Sequence, residues 1–133
     1  MYVRFVSPLH SHTRTGAYGL FRGAAWMVNE PETPKVLRDA MNIELDWFNE
    51  HLPRPRYRDF EVRSRKVWHR DGICWFRDDA QEMIRRAFVL ASLLRDCGAN
   101  ISKLATDRPG QVLYRDAYQI IAKPEAATPV SWC

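Results

Sequence analysis

Side chains able to do chemistry cluster in three places along the 133 residues. The stretch from Lys66 to Phe76 contains His69, Arg70 and Asp71, followed by Cys74 as a possible nucleophile. Earlier in the chain His10 and His12 flank Ser11, ahead of Thr13, Arg14, Thr15 and Gly16. Imidazoles at alternate positions of an extended segment point the same way and can share a metal. The same hydroxyls and Arg14, set before a helix N-terminus, could instead hold an anion on free backbone N–H groups. The third cluster interleaves Arg54, Arg56, Arg58, Arg63, Arg65, Lys66 and Arg70 with Tyr57, Phe60 and Trp68. Guanidinium groups fit phosphates and aromatic rings stack on bases, which is the footprint of a nucleic-acid surface.

Each cluster can be weighed against what its chemistry requires. His69-Arg70-Asp71 resembles the tripeptide of the protein-kinase catalytic loop, which needs an Asn five residues beyond its Asp to hold a second metal. This chain has Phe76 there and lacks the glycine-rich phosphate loop. Asp71-Gly72 between two apolar, β-prone runs is instead a hairpin signal, because both turn positions need φ > 0. That hairpin sets Arg70 opposite Ile73, His69 opposite Cys74, Trp68 opposite Trp75 and Val67 opposite Phe76. His10-Ser11-His12 resembles the opening metal motif of amidohydrolases and of polymerase-and-histidinol-phosphatase domains. Those families imply several further His or Asp ligands; here only His51 and His69 remain, and a metal needs at least three converging ligands. No metal or other cofactor is expected. His10, His12, Thr13 and Arg14 stand as a candidate anion- or ligand-binding set, without a Walker or dinucleotide fingerprint.

Charge supports nucleic acid only locally. Of the net +4, the segment from Arg54 to Arg70 carries seven Lys or Arg against Asp59 and Glu61, or +5, leaving −1 elsewhere. A half-buried strand with Glu61, Arg63 and Arg65 in solvent has the same composition, so nucleic acid is a possible partner but not the favoured one.

The elements that must position these residues read as α+β, with about three helices on one face of a mostly antiparallel sheet. Residues 2–6 are short, β-branched and aromatic, a strand that Pro8 ends. Residues 17–28 form an apolar helix punctuated by Gly16, Gly19 and Gly23, which close backbone packing would have to justify. Thr33 and Pro34 open a second helix with Leu37, Met41, Leu45, Phe48 and Leu52 at helical spacing, stopped by Pro53 and Pro55. Asp78 with Gln81, or Asp79 with Glu82, makes a capping box for a third, whose buried stripe runs from Ala80 to Leu94 and which Gly98 ends. Residues 101–105, 111–115 and 118–123 read as strands around a Pro109-Gly110 turn. Trp26 and Trp47 fall on helical stripes and are expected in the core, whereas Trp132 lies on the tail.

Residues 1–123 are therefore expected to form one domain and 124–133 a loosely held tail. Cys74, Cys97 and Cys133 match neither a disulfide framework nor a zinc set, and no leader or bilayer-length apolar run is visible, so a reduced, cytoplasmic protein is expected. The function expected is non-catalytic, by binding another macromolecule or by self-association. Nucleic-acid binding is the first alternative, and a small enzyme or ligand-binding protein with a pocket near residues 10–16 is the second.

Overall fold

The computed structural model describes residues 1–7, 18–56, 72–126 and 128. Strand β1 (Tyr2–Ser7) is followed by the two-residue β2 (Tyr18–Gly19), helix α1 (Leu20–Asn29), helix α2 (Lys35–His51) and strand β3 (Ile73–Arg77). Helix α3 (Gln81–Asp96) then leads to β4 (Ser102–Thr106), β5 (Gln111–Arg115) and β6 (Gln119–Lys123). All pairings are antiparallel, and the α+β class expected from the sequence is the one observed.

The three helices pack on one face of the sheet. Period-2 alternation turns Val3 and Phe5 of β1 and Phe76 of β3 toward them. Leu20 and Ala24 of α1, Met41 and Phe48 of α2, and Met83, Ala87, Leu90, Ala91 and Leu94 of α3 complete that core. Burying a Leu or Met of this kind contributes about 1.5–3 kcal/mol, which is why the stripe of α3 dominates its placement. α2 and α3 are also tied by a partly buried ion pair. Arg86 Nη1 donates to both carboxylate oxygens of Glu44 at 3.2 Å, and its guanidinium lies 4.8 Å from the centre of the Trp47 ring.

Strand β1 is the hub of the sheet. One edge pairs with β4 from Tyr2 to Val6. The other edge is shared: Tyr2 and Val3 pair with Arg77 and Phe76 of β3, whereas Val6 and Ser7 pair with Gly19 and Tyr18 of β2. Beyond β3 lie β6 and then β5. On the sheet face away from the helices, Ile73, Trp75, Ile120 and Ala122 form a second core, with Tyr2, Leu104 and Val112 packed against it.

Several local expectations are corrected. Thr33 does not cap α2. Its hydroxyl donates to the Met27 carbonyl at 2.7 Å, joining the end of α1 to the start of α2, and Pro34 takes the N-cap position instead of the first helical one. No capping box forms at α3: Ala80 is the N-cap, Asp79 pairs with Arg77, and Glu82 pairs with Arg85. Asp78 pairs with the N-terminal amine of Met1, so each carboxylate the box would use has an ion-pair partner elsewhere. Trp26 is 51% exposed, not core, and Trp47 is half-buried, stacked on the His51 ring. The second half of the expected hairpin is strand β3, but its first half, including Trp68, His69 and Asp71, lies outside the described residues. Phe76 pairs with Val3 on one edge and Gln119 on the other.

Candidate functional site

Three rings fix a groove where α1, α2 and the sheet meet. Phe21 of α1 stands edge-on to Phe48 of α2 at 4.8 Å, and both approach Phe76 of β3, at 6.2 and 6.1 Å. Beside this trio lies a cavity of about 500 Å³, walled by Phe21, Ala25, Leu45, Phe48, Leu52 and Ile121, with Cys74 and Gln119 among its polar lining. Arg22, Asn49 and Arg54 also line it. Pro53 and Pro55 end α2 here, so the chain leaves the helix extended along the groove.

The polar groups form one chain of hydrogen bonds. The Gln119 amide Nε2 donates to the Pro53 carbonyl at 2.8 Å and to Asp116 Oδ2 at 3.0 Å. Both partners are acceptors only, which fixes which end of the amide faces them. Its Oε1 therefore faces Cys74, and the thiol donates to it at 2.9 Å. Asp116 is saturated: its Oδ1 accepts from the backbone N–H groups of Tyr118 and Gln119, and its Oδ2 also accepts the Tyr114 hydroxyl at 2.7 Å. Burial pushes the Cys74 thiol up to about 12; Arg4 pulls it down, but by less, and Asp116 adds to the rise. Such a thiol stays protonated at neutral pH and is a poor nucleophile, and both oxygens of Asp116 are already occupied by donors.

A second cavity of about 220 Å³ adjoins the first and shares Phe21, Arg22 and Cys74 with it. It lies where β1 passes from β3 to β2, and among the described residues Arg4 has no strand partner on that edge. Arg4, Phe5, Gly19, Leu20 and Phe76 complete its wall. The Arg4 guanidinium approaches Gly19, with Nη2 3.5 Å from where a Cβ on that glycine would stand. Its Nε is buried and has no hydrogen-bond partner, and no carboxylate pairs with it among the described residues. Burial lowers the Arg4 pKa, although proximity to Cys74 opposes the shift. α1 begins at the same cavity with no side-chain cap and no acidic residue in its first turn.

Of the residues singled out by sequence, Cys74 and Arg54 line the groove. His10, His12, Thr13 and Arg14 lie outside the described residues, as do Arg58, Arg63, Arg65 and Lys66. Of the basic segment, Arg54 and Arg56 are described and exposed, and Arg54 donates through Nη2 to Asn49 Oδ1. Cys74 does sit at the site, but as a packed donor. Arg4 and Gln119 escaped notice because neither belongs to a motif. The signal available was one charge in the middle of an otherwise apolar strand, Tyr2-Val3-Arg4-Phe5-Val6. Among the described residues no three His, Cys, Asp or Glu side chains converge as a metal site would require, and no helix is long and apolar enough to cross a membrane. No protein-family model matches the chain, and comparisons with curated proteins and with solved structures find no match either.

Proposed function

We propose that this protein binds a small, largely apolar molecule in the groove between α1, α2 and the β3–β6 face. The observation that carries this reading is the cavity of about 500 Å³ itself, apolar along most of its wall and furnished with a few oriented polar groups. Ligand sites of small proteins share that size and that balance. The protonated thiol of Cys74 and the saturated carboxylate of Asp116 favour binding over catalysis at this place. The neutral fluorophore N-phenyl-1-naphthylamine tests it. Saturable binding at one site per chain is expected in the wild type. Ala25→Trp, which places a bulky ring on an exposed position of the groove wall, should weaken binding at least tenfold without lowering the melting temperature. Absence of saturable binding, or equal binding by the variant, would sink the reading.

Binding of a macromolecule or of a second copy is a second reading, favoured by the outer face of α2. Val36 is 80% and Ile43 65% exposed there, seven residues apart, with half-buried Ala40 and Trp47 extending the stripe. Sedimentation velocity separates the two: a dimer that Ile43→Asp dissociates would favour this second reading.

A further inference from the structure

If the groove holds a small molecule, a second feature beside it selects the class of that molecule, an assignment that rests on the groove reading. A buried guanidinium is ordinarily paired or fully hydrogen-bonded, because an uncompensated charge away from water is among the costliest features a fold can keep. Arg4 is half-buried, and at its buried Nε it is an exception. Its Nε is shut from solvent without a partner, and no acidic side chain among the described residues reaches it. Nor is it a terminal cation: it sits mid-strand in β1, paired in register with Leu104 of β4.

Its surroundings suit an anion. Arg4 lines the cavity of about 220 Å³ together with Gly19, Leu20, Phe21 and Arg22, the N-cap and first turn of α1. The partial positive charge of that helix end therefore adds to the charge of Arg4. Gly19 contributes by what it lacks, since it brings no side chain between Arg4 and the helix end. The apolar groove shares Phe21, Arg22 and Cys74 with this cavity.

We infer that the ligand is an amphipathic carboxylate, with its head on Arg4 and the α1 N-terminus and its apolar body in the groove along Phe48 and Leu45. A guanidinium fork matches a carboxylate in geometry, two N–H donors to two oxygens. The head would supply the acceptor that Arg4 Nε lacks.

Displacement of N-phenyl-1-naphthylamine by decanoate and by decan-1-ol tests this, since the two share an alkyl chain and differ in the head. Wild type should take decanoate at least tenfold more tightly than decan-1-ol at pH 7.5. Arg4→Gln should remove that preference while leaving decan-1-ol affinity within about twofold, and Arg4→Lys should keep part of it. Equal displacement by both probes in the wild type would overturn the carboxylate assignment and leave the groove reading standing. Failure of N-phenyl-1-naphthylamine itself to bind would remove the groove reading first. The wild-type comparison needs no variant, so a failure of Arg4→Gln to fold does not rescue the assignment.

Discussion

At the scale of single residues, the arrangement turns on which proton each group keeps. Gln119 is 3% exposed and can satisfy the Pro53 carbonyl and the Asp116 carboxylate only by turning its nitrogen toward them. The remaining oxygen then requires a donor, and Cys74 can donate only as a thiol. Ionising Cys74 would set a thiolate against a carbonyl oxygen in a place burial already disfavours. That fixes the sign of the pH dependence. A thiol raised from 9.0 in the unfolded chain to about 12 in the folded one contributes stability that is fully present below pH 9 and is lost as pH rises toward 12. A rise of that size sets a ceiling of about 4 kcal/mol, reduced by the solvent that reaches this half-buried residue. Cys74→Ser keeps a donor for Gln119 but does not titrate in this range. Urea unfolding between pH 8 and 11.5 should therefore show the wild type losing stability faster than the serine variant. Parallel curves would mean that Cys74 is solvated and that the amide is oriented by something else.

At the scale of elements, the helices were legible and their ends were not. The apolar stripes of α2 and α3 recur every three to four residues, and a long periodic signal survives a few exceptions such as Ile43 and Glu44. A cap depends on one side chain choosing a nearby N–H over every other partner, and here Thr33, Asp79 and Glu82 each find another partner. Gly98 was readable because its role is conformational: it holds φ +92° after α3, and its N–H donates to Arg95 O. Gly23 was readable for the wrong reason. Close packing was expected to require it, yet a Cβ there would meet only Leu94 Cδ1 at 3.9 Å, an ordinary contact. Gly23→Ala should therefore stabilise the protein by about 0.5–1 kcal/mol, through better helix propensity and a less free unfolded chain. A loss of stability in chemical denaturation would show that α1 packs more tightly on α3 than that distance indicates.

At the scale of the whole molecule, the curvature of the sheet was hidden because it depends on strand order. With β4 on one side of β1 and β3, β6 and β5 beyond the other, β4 and β5 stand at opposite edges, and only residues 107–110 join them. In a flat sheet those edges are four strand spacings of about 4.8 Å apart, and the joined ends also lie at opposite ends of the strands. The five chain steps from Thr106 to Gln111 reach at most about 18 Å. The sheet must therefore curl toward the face away from the helices, which is why Leu104 of β4 and Val112 of β5 both pack against the core around Trp75. Trp75 is fully buried in consequence, at the expense of an indole Nε1 without a partner. The connection that holds this curl is braced twice. Arg108 O accepts the Thr128 hydroxyl at 3.0 Å, and Gly110, at φ +105°, passes so close to β6 that a Cβ would stand 2.0 Å from Lys123 O. A backbone oxygen cannot swing aside as a side chain can. Gly110→Ala must move the connection, and with it the register by which β5 continues from β4. The expected loss is about 3 kcal/mol or more, against about 1 kcal/mol for Gly98→Ala, where φ is also positive but no atom lies within 4 Å. Paired urea denaturation of the two variants measures the difference directly. Equal losses would mean that the β4–β5 connection yields freely and that something other than this close approach keeps the sheet curled.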